Sequence, residues 1–391
     1  MNYDEVLNKR VVELPRSGIR KFFDLASEMT DCISLGVGEP DFVTPWDIRD
    51  GAIKAIQAGK TQYTSNAGLM ELRTLVSKYL SERYGLCYAP ENEIIITVGA
   101  SEAIDLALRT IVEPGDEVLV PAPSYVSYQP NVQLVYGTPV PLPLSEQNGF
   151  KLTPEIIKGA ITDKTKAIIV PYPNNPTGAI MTREELEKIR QVIIDNNLIV
   201  ISDEIYSELT YGRKHCSIAS LEGMRERTIV INGFSKAFAM TGWRQGYICA
   251  PKEIIDNCYK IHQYTIMCAP TFSQYASIRA LKTGFEEEFE TVEKMRESYD
   301  MRRRYLVNAL NSMGMDCFEP NGAFYVFPSV KRFGLTGEQF AERLLMEKKV
   351  AVVPGSAFGA GGEFFVRCSY ATGIKQLQIA CERIKSFISD L

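Results

Sequence analysis

Histidine is nearly missing from this chain, occurring only as His215 and His262, and tryptophan is equally scarce at two residues. So little imidazole leaves no basis for a histidine-built metal site, and both histidines read as ordinary structural or surface residues. Cysteine occurs nine times, an odd number with no Cys-x-x-Cys pair. That pattern argues against a disulfide framework and for reduced thiols in a cytoplasmic protein. The thiols, Cys87 and Cys317 among them, read as packed core. Long apolar runs are also lacking: none approaches the ~18 residues needed to span a membrane. The opening Met1-Asn-Tyr-Asp-Glu-Val-Leu-Asn-Lys-Arg10 has no apolar centre, so no signal peptide is expected. Positive charge is not in excess either. The formal net charge is −5, which argues against a nucleic-acid partner, and the densest basic cluster, Arg302-Arg303-Arg304, reads as the solvated face of a helix. No Gly-x-Gly-x-x-Gly opens a helix, which argues against a dinucleotide-binding fold.

What is present is a chain of 391 residues, 45% hydrophobic and 23% charged, enough for two or three domains with a large core. From about 46 to 284, apolar runs alternate with helical patterns, as in a mostly parallel sheet wrapped by helices. Glu93–Thr97 predicts a strand, Ser101–Val112 a helix, and Glu117–Val120 the next strand after a turn at Pro114-Gly-Asp116. Thr182-Arg-Glu-Glu185 is a capping box ahead of a helix reaching Asn196. One long charged helix is expected from about 286 to 313, then strands such as Ala323–Phe327 and a helix over Lys375–Ile388. The expected architecture is α/β. A large domain over 46–284 interrupts a smaller α+β domain made of 1–45 and 285–391.

Three apolar runs end in polar motifs. Thr228-Ile-Val-Ile231 leads into Gly233-Phe-Ser-Lys236, with Arg244 eight residues beyond the lysine. A lysine leaving a buried strand end is desolvated and can act as a neutral nucleophile toward an aldehyde. Arg244 can hold a phosphate with a two-pronged charged hydrogen bond. Together they describe a site for pyridoxal phosphate. Ala167–Val170 ends in Pro171-Tyr-Pro-Asn-Asn-Pro-Thr-Gly178, and Leu198–Ser202 ends in Asp203-Glu-Ile-Tyr206. Asp203 can hold the proton of a pyridine nitrogen, while Asn175 and Tyr206 can donate to a phenolic oxygen. Taken singly, Asn175-Pro-Thr-Gly is a turn and Asp203 a helix N-cap. Taken together in this order, they make a cofactor site at the strand ends of an open sheet.

With those residues in place, the chain resembles the fold-type I, pyridoxal-phosphate-dependent aminotransferases of class I, near the aspartate and aromatic members of bacteria and archaea. The resemblance runs through Ile33-Ser-Leu-Gly-Val-Gly-Glu-Pro-Asp-Phe42, Gln62-Tyr-Thr-Ser-Asn-Ala-Gly68 and Gly99-Ala-Ser101. It continues in Val352-Val-Pro-Gly-Ser-Ala-Phe358 and Val366-Arg-Cys-Ser-Tyr370. It implies that Lys236 carries the cofactor and serves as general base, with Asp203 and Tyr206 as its catalytic companions. It implies a phosphate site from Gly99, Ala100, Ser101 and Arg244, with Tyr63 reaching in from a partner subunit, and hence a homodimer with shared sites. Relatives place a serine three residues before the lysine; Gly233 stands there, so Ser235 is the expected substitute. Tyr125 matches the residue that stacks on the pyridine ring, although alone it reads as a core tyrosine of an amphipathic helix. Arg367, helped by Asn175 and the backbone at Gly38, is the expected reader of the substrate α-carboxylate, the alternative being an internal salt bridge. The implied reaction is ping-pong transfer of an amino group from an L-amino acid to a 2-oxo acid such as 2-oxoglutarate. Ser101 occupies the position where some aspartate-using relatives carry a lysine. Together with Ser17-Gly18 and Asn232-Gly-Phe-Ser-Lys-Ala-Phe238, it points to aromatic or neutral donors. Aspartate-, alanine-, kynurenine- and diaminopimelate-type donors stay open, as does a C–S lyase.

Overall fold

The computed structural model describes residues 1–16, 18 and 29–391; Ser17, used above for donor choice, lies outside them. Its centre is a seven-stranded sheet: β1 Ile94–Thr97, β2 Glu117–Ala122, β3 Thr138–Pro143, β4 Thr165–Val170, β5 Ile199–Asp203, β6 Thr228–Gly233 and β7 Gly246–Cys249. They lie in the order β1-β7-β6-β5-β4-β2-β3. Only β7 runs against its neighbours β1 and β6; the remaining pairs are parallel. β6 is buried along its whole length and β5 over all but its first residue. Strands covered on both faces need apolar residues at every position, and Thr228-Ile-Val-Ile has that form.

The topology decides where the chemistry falls. Because β1, β2, β4, β5 and β6 all point the same way, their carboxyl ends share one sheet edge, and the start of the opposed β7 meets them there. α1 Trp46–Gln57, α2 Met70–Tyr84, α3 Gly99–Ile111, α4 Tyr128–Leu134 and α5 Arg183–Asp195 precede β6 in the chain. The capping box at the start of α5 is present in full, Thr182 receiving Glu185 N–H and Glu185 receiving Thr182 N–H. α6 Lys252–Thr265, α7 Thr271–Glu286 and α8 Glu290–Ser312 follow β7. The long charged helix starts at Glu290 rather than 286, because Glu288 and Phe289 take left-handed backbone at φ 51° and 58° and turn the Phe289 ring onto Gly284. Beyond it, β8 Tyr325–Val326, β9 Val353–Pro354 and β10 Val366–Ser369 form an antiparallel sheet in the order β9-β10-β8. The short pairing of Ile33-Ser34 with Val350-Ala351 brings the 36–41 segment alongside. α9 Ile374–Ser389 closes this part, whose core gathers Tyr299, Phe324, Tyr325, Phe340 and Phe387.

Two surface readings need correction. Arg302 and Arg303 are buried, not solvated. Arg302 Nη1 donates to both carboxylate oxygens of Asp41 at 2.8 Å, while Arg303 meets Asp300, Glu319 and the Pro320 carbonyl. Burying two guanidinium groups is tolerable only with such complete pairing. Arg304 alone is exposed, as expected. Cys87 is exposed rather than core, whereas Cys317 is buried, and all nine thiols are free. Both histidines are structural: His215 bonds Glu204, and His262 bonds Glu102 and the Asn66 carbonyl.

Candidate active site

The sheet edge opens into a cavity of about 370 Å³. Lys236, three residues past the end of β6, projects into it from a buried stretch, and its Nζ donates to the Gly38 carbonyl at 2.7 Å. The ammonium lies 5.7 Å from the Tyr206 ring centroid and 5.6 Å from that of Phe324. Burial lowers its pKa to about 8, against the opposing pull of the Glu39 carboxylate. About a tenth is therefore free amine at pH 7, far more than for an ordinary lysine.

Asp203 closes β5 and is buried. Its Oδ2 accepts the Tyr128 hydroxyl at 2.8 Å and its Oδ1 accepts the Ile205 N–H at 3.2 Å. Desolvation raises its pKa to about 6, with the Tyr128 hydrogen bond working in the other direction. No α-helix follows Asp203, so the simple N-cap alternative does not apply. Tyr206 is buried and shares a hydroxyl–hydroxyl hydrogen bond of 2.9 Å with Tyr325. Tyr125 stands before α4 rather than within it, and its half-buried ring meets Tyr128 edge-on at 5.5 Å.

Opposite these groups lies the start of α3. Gly99 takes φ +73°, and the Arg244 guanidinium occupies the space into which a Cβ at that residue would project. Ala100, Ser101, Ser235 and Arg244 line the same wall. The first N–H groups of a helix with an arginine beside them form an anion site. Gly233 cannot take the missing serine without movement, since a Cβ there would sit 2.8 Å from the Gln245 carbonyl and from Gly246 Cα.

Arg367, on β10, is 2% exposed and has no carboxylate partner among the described residues. Its Nη1 donates to Asn175 Oδ1 at 2.9 Å, its Nη2 donates to the Gly36 carbonyl, and its Nε is buried without a partner. The guanidinium lies over the Tyr325 ring at 4.4 Å and near Phe358 at 4.9 Å. The internal salt bridge offered as the alternative is not what holds it. A buried cation met only by neutral acceptors is a receptor for an anion.

The fold thus gathers Gly38, Ala100, Ser101, Tyr125, Asn175, Asp203, Tyr206, Ser235, Lys236, Arg244 and Arg367 around one cavity. Gly99 stands just behind its wall. Tyr63 is apart from it, 80% exposed at the surface. Sequence reasoning missed Tyr128 and Tyr325. Tyr128 lies three residues after Tyr125, a spacing that brings both to one wall, and Tyr325 sits in the expected strand Ala323–Phe327 with nothing in its pattern to separate it from core.

Comparison with known proteins gives the family. The family model described as aminotransferase class I and II matches residues 30–384. The chain belongs to that family. It is 53% identical to a putative aminotransferase, YugH, of Bacillus subtilis, over 98% of both chains. It is 47% identical to an aspartate aminotransferase of Pyrococcus abyssi, over 96% of both. Among solved structures, the aromatic aminotransferase of Pyrococcus horikoshii superposes with a TM-score of 0.90 at 45% identity, covering 94% of this chain and 99% of that one. The protein is therefore an aminotransferase enzyme of fold type I, in a family that works with pyridoxal 5′-phosphate.

Proposed function

We propose that this aminotransferase moves an amino group from an L-amino acid with an aromatic or neutral side chain to a 2-oxo acid such as 2-oxoglutarate. The carrying observation is a count of charges. Among the described residues, the cations lining the cavity are Lys236, Arg244 and Arg367, and each already has a task. A fourth, for the distal carboxylate of an acidic donor, is not among them. Ser101 faces the cavity instead, together with Ile104, Tyr125, Ile205 and Tyr325. The second carboxylate of 2-oxoglutarate would then be met by neutral donors or by a partner subunit.

The residues fit pyridoxal 5′-phosphate, in that a buried carboxylate, a depressed lysine and an anion-binding helix start face one space. Gly99, Ala100, Ser101, Ser235 and Arg244 would hold the phosphate, Asp203 the ring nitrogen, Asn175 and Tyr206 the phenolic oxygen, and Tyr125 the ring face. When bound, the cofactor supplies an electron sink for the pair released at the substrate Cα. Arg367 and Asn175 bind the α-carboxylate and so orient the Cα–H bond. Lys236, as the neutral amine, takes the Cα proton and returns it later. Asp203 keeps a proton on the ring nitrogen.

A homodimer with shared sites is part of the proposal. Tyr63, Val43, Trp46 and Tyr264 are 80%, 73%, 62% and 85% exposed and so are open to a second copy of the chain. The nine free thiols support a cytoplasmic location. Among the described residues no helix is long and apolar enough to cross a membrane.

A panel of amino donors and 2-oxo acceptors, followed by 2-oxo acid formation, tests the reading. Phenylalanine, tyrosine or neutral donors should exceed aspartate in kcat/KM. Aspartate leading the panel would move the assignment to the aspartate type, and release of pyruvate and ammonia without any acceptor would move it to a lyase.

A further inference from the structure

His262 is fully buried on α6, and both of its ring nitrogens are engaged. Nε2 faces the carbonyl oxygen of Asn66 at 2.9 Å, and Nδ1 faces Glu102 Oε1 at 2.6 Å. A carbonyl only accepts, so Nε2 carries a hydrogen, and a second hydrogen must lie between Nδ1 and the carboxylate. The ring is thus committed on both edges. The other carboxylate oxygen of Glu102 accepts the N–H of Val98, the residue capping α3 immediately before Gly99-Ala-Ser101.

Asn66 belongs to the loop that presents Tyr63. That loop is fastened at further points: Thr271 Oγ1 donates to the Gln62 carbonyl at 2.8 Å, Gln274 Nε2 to Thr64 Oγ1 at 3.0 Å, and Ile96 N–H of β1 to the Ala67 carbonyl at 3.0 Å. Tyr63 itself stays exposed. One imidazole therefore joins two structures: the helix start that faces this subunit's own cavity, and the loop whose tyrosine faces outward.

We propose that His262 and Glu102 are positioning residues coupling the two phosphate sites of the dimer, holding the phosphate-binding start of α3 in register with the loop that sends Tyr63 to the neighbouring subunit. This rests on the reading that Tyr63 serves the partner's site. Neither residue lines the cavity, so both act through others. A shift of the α3 start on phosphate binding is passed through Glu102 and His262 to Asn66, and so to Tyr63. A fully buried, doubly bonded imidazole gives such coupling a continuous physical connection with few alternative arrangements.

Hybrid dimers separate the proposal from the reading beneath it. One subunit carries Lys236→Ala, so that lysine-dependent cofactor absorbance reports only the unaltered partner. A second substitution is then added to the Lys236→Ala subunit, and cofactor release from the partner is followed by absorbance. Tyr63→Phe there should speed release from the partner about tenfold or more, the effect of losing a hydrogen bond to a charged group. His262→Phe and Glu102→Ala should each speed it at least severalfold, roughly the effect of a loosened rather than lost contact. Glu102→Gln, which can still accept from Val98 and donate to His262, should restore release to within about twofold of the reference. Two different breaking variants keep the test open if one fails to fold. If Tyr63→Phe speeds release from the partner and the His262 and Glu102 variants leave that release unchanged, the coupling is overturned while the shared-site reading stands. If Tyr63→Phe leaves the partner untouched, the reading fails and the proposal with it.

Discussion

The hydroxyl of Tyr128 and the carboxylate of Asp203 meet at 2.8 Å, joining the first turn of α4 to the end of β5 beneath the proposed cofactor site. Both residues are buried, so the hydrogen bond is one of the few forces opposing the desolvation that lifts the Asp203 pKa to about 6. Tyr128→Phe should raise it further and weaken the hold on a protonated ring nitrogen. The expected loss is about tenfold in kcat, corresponding to one hydrogen bond to a charged group, with the donor KM nearly unchanged. Steady-state kinetics with the absorbance of bound cofactor recorded across pH would check this. An equal loss in KM would place Tyr128 in substrate binding instead.

Asp203 also makes a stability prediction with a definite sign. In cofactor-free protein its carboxyl titrates at about 6 rather than the ordinary 3.8. The folded state then binds the extra proton between these values, so stability falls as pH rises through that window and stays lower above it. Asp203→Asn should therefore stabilise the cofactor-free protein at pH 8 by about 1–3 kcal/mol, an advantage that disappears by about pH 4. The same variant should lose most activity. Thermal melts at the two pH values decide it, and a variant less stable at pH 8 would refute the burial argument.

Lys236 gives a kinetic counterpart. With a pKa of about 8, roughly a tenth of the side chain is neutral at pH 7. Lysine-dependent uptake of pyridoxal 5′-phosphate by the cofactor-free protein should accelerate about tenfold from pH 7 to 9 and then level off. Stopped-flow absorbance measures this directly. A rate still climbing toward pH 10.5 would mean that the amine keeps its ordinary basicity.

Arg367→Ala should lower kcat/KM by about ten- to more than a hundred-fold, the effect of removing a charged, two-pronged contact. The loss should be alike for aromatic, neutral and acidic donors, because all share the α-carboxylate, and cofactor absorbance should persist. A loss confined to acidic donors would make Arg367 a side-chain reader.

Gly233→Ser, which places a hydroxyl three residues before Lys236, should not improve phosphate binding. Its Cβ would press on the backbone of Gln245 and Gly246 at 2.8 Å, at a stability cost of about 1–3 kcal/mol. Calorimetry and cofactor titration together would check it, and tighter binding without a fall in Tm would show that the β6–β7 pair yields easily.

Much of this site was legible because its parts lie next to strong local signals. Lys236, Asp203 and Asn175 each follow an apolar run whose buried character is written in its composition, and a parallel sheet then forces those ends together. The partnerships were not legible. Nothing local separates the Tyr128 hydroxyl, aimed at Asp203, from that of a packed tyrosine, because the contact spans 75 positions. Arg302 was misread for the same reason: the acid that meets it is Asp41, 261 positions away. The late start of α8 at Glu290 depends on where Phe289 finds room, which only the folded core determines.

The glycine-rich segment after Ser34 has a consequence for substrate selection. The carbonyl of Gly36 receives Arg367 and the carbonyl of Gly38 receives Lys236. One short piece of backbone thus holds both cations, and its Gly36 carbonyl competes for the charge that a substrate carboxylate would claim. Tyr325 crowds Gly38 so closely that a side chain there would strike its hydroxyl, which keeps this rival in place. Binding is then an exchange reaction, decided by how much better a carboxylate satisfies Arg367 than a neutral carbonyl does. Amines and amides without a free α-carboxylate are expected to fail that exchange, so Arg367 would screen substrates before any bond is broken.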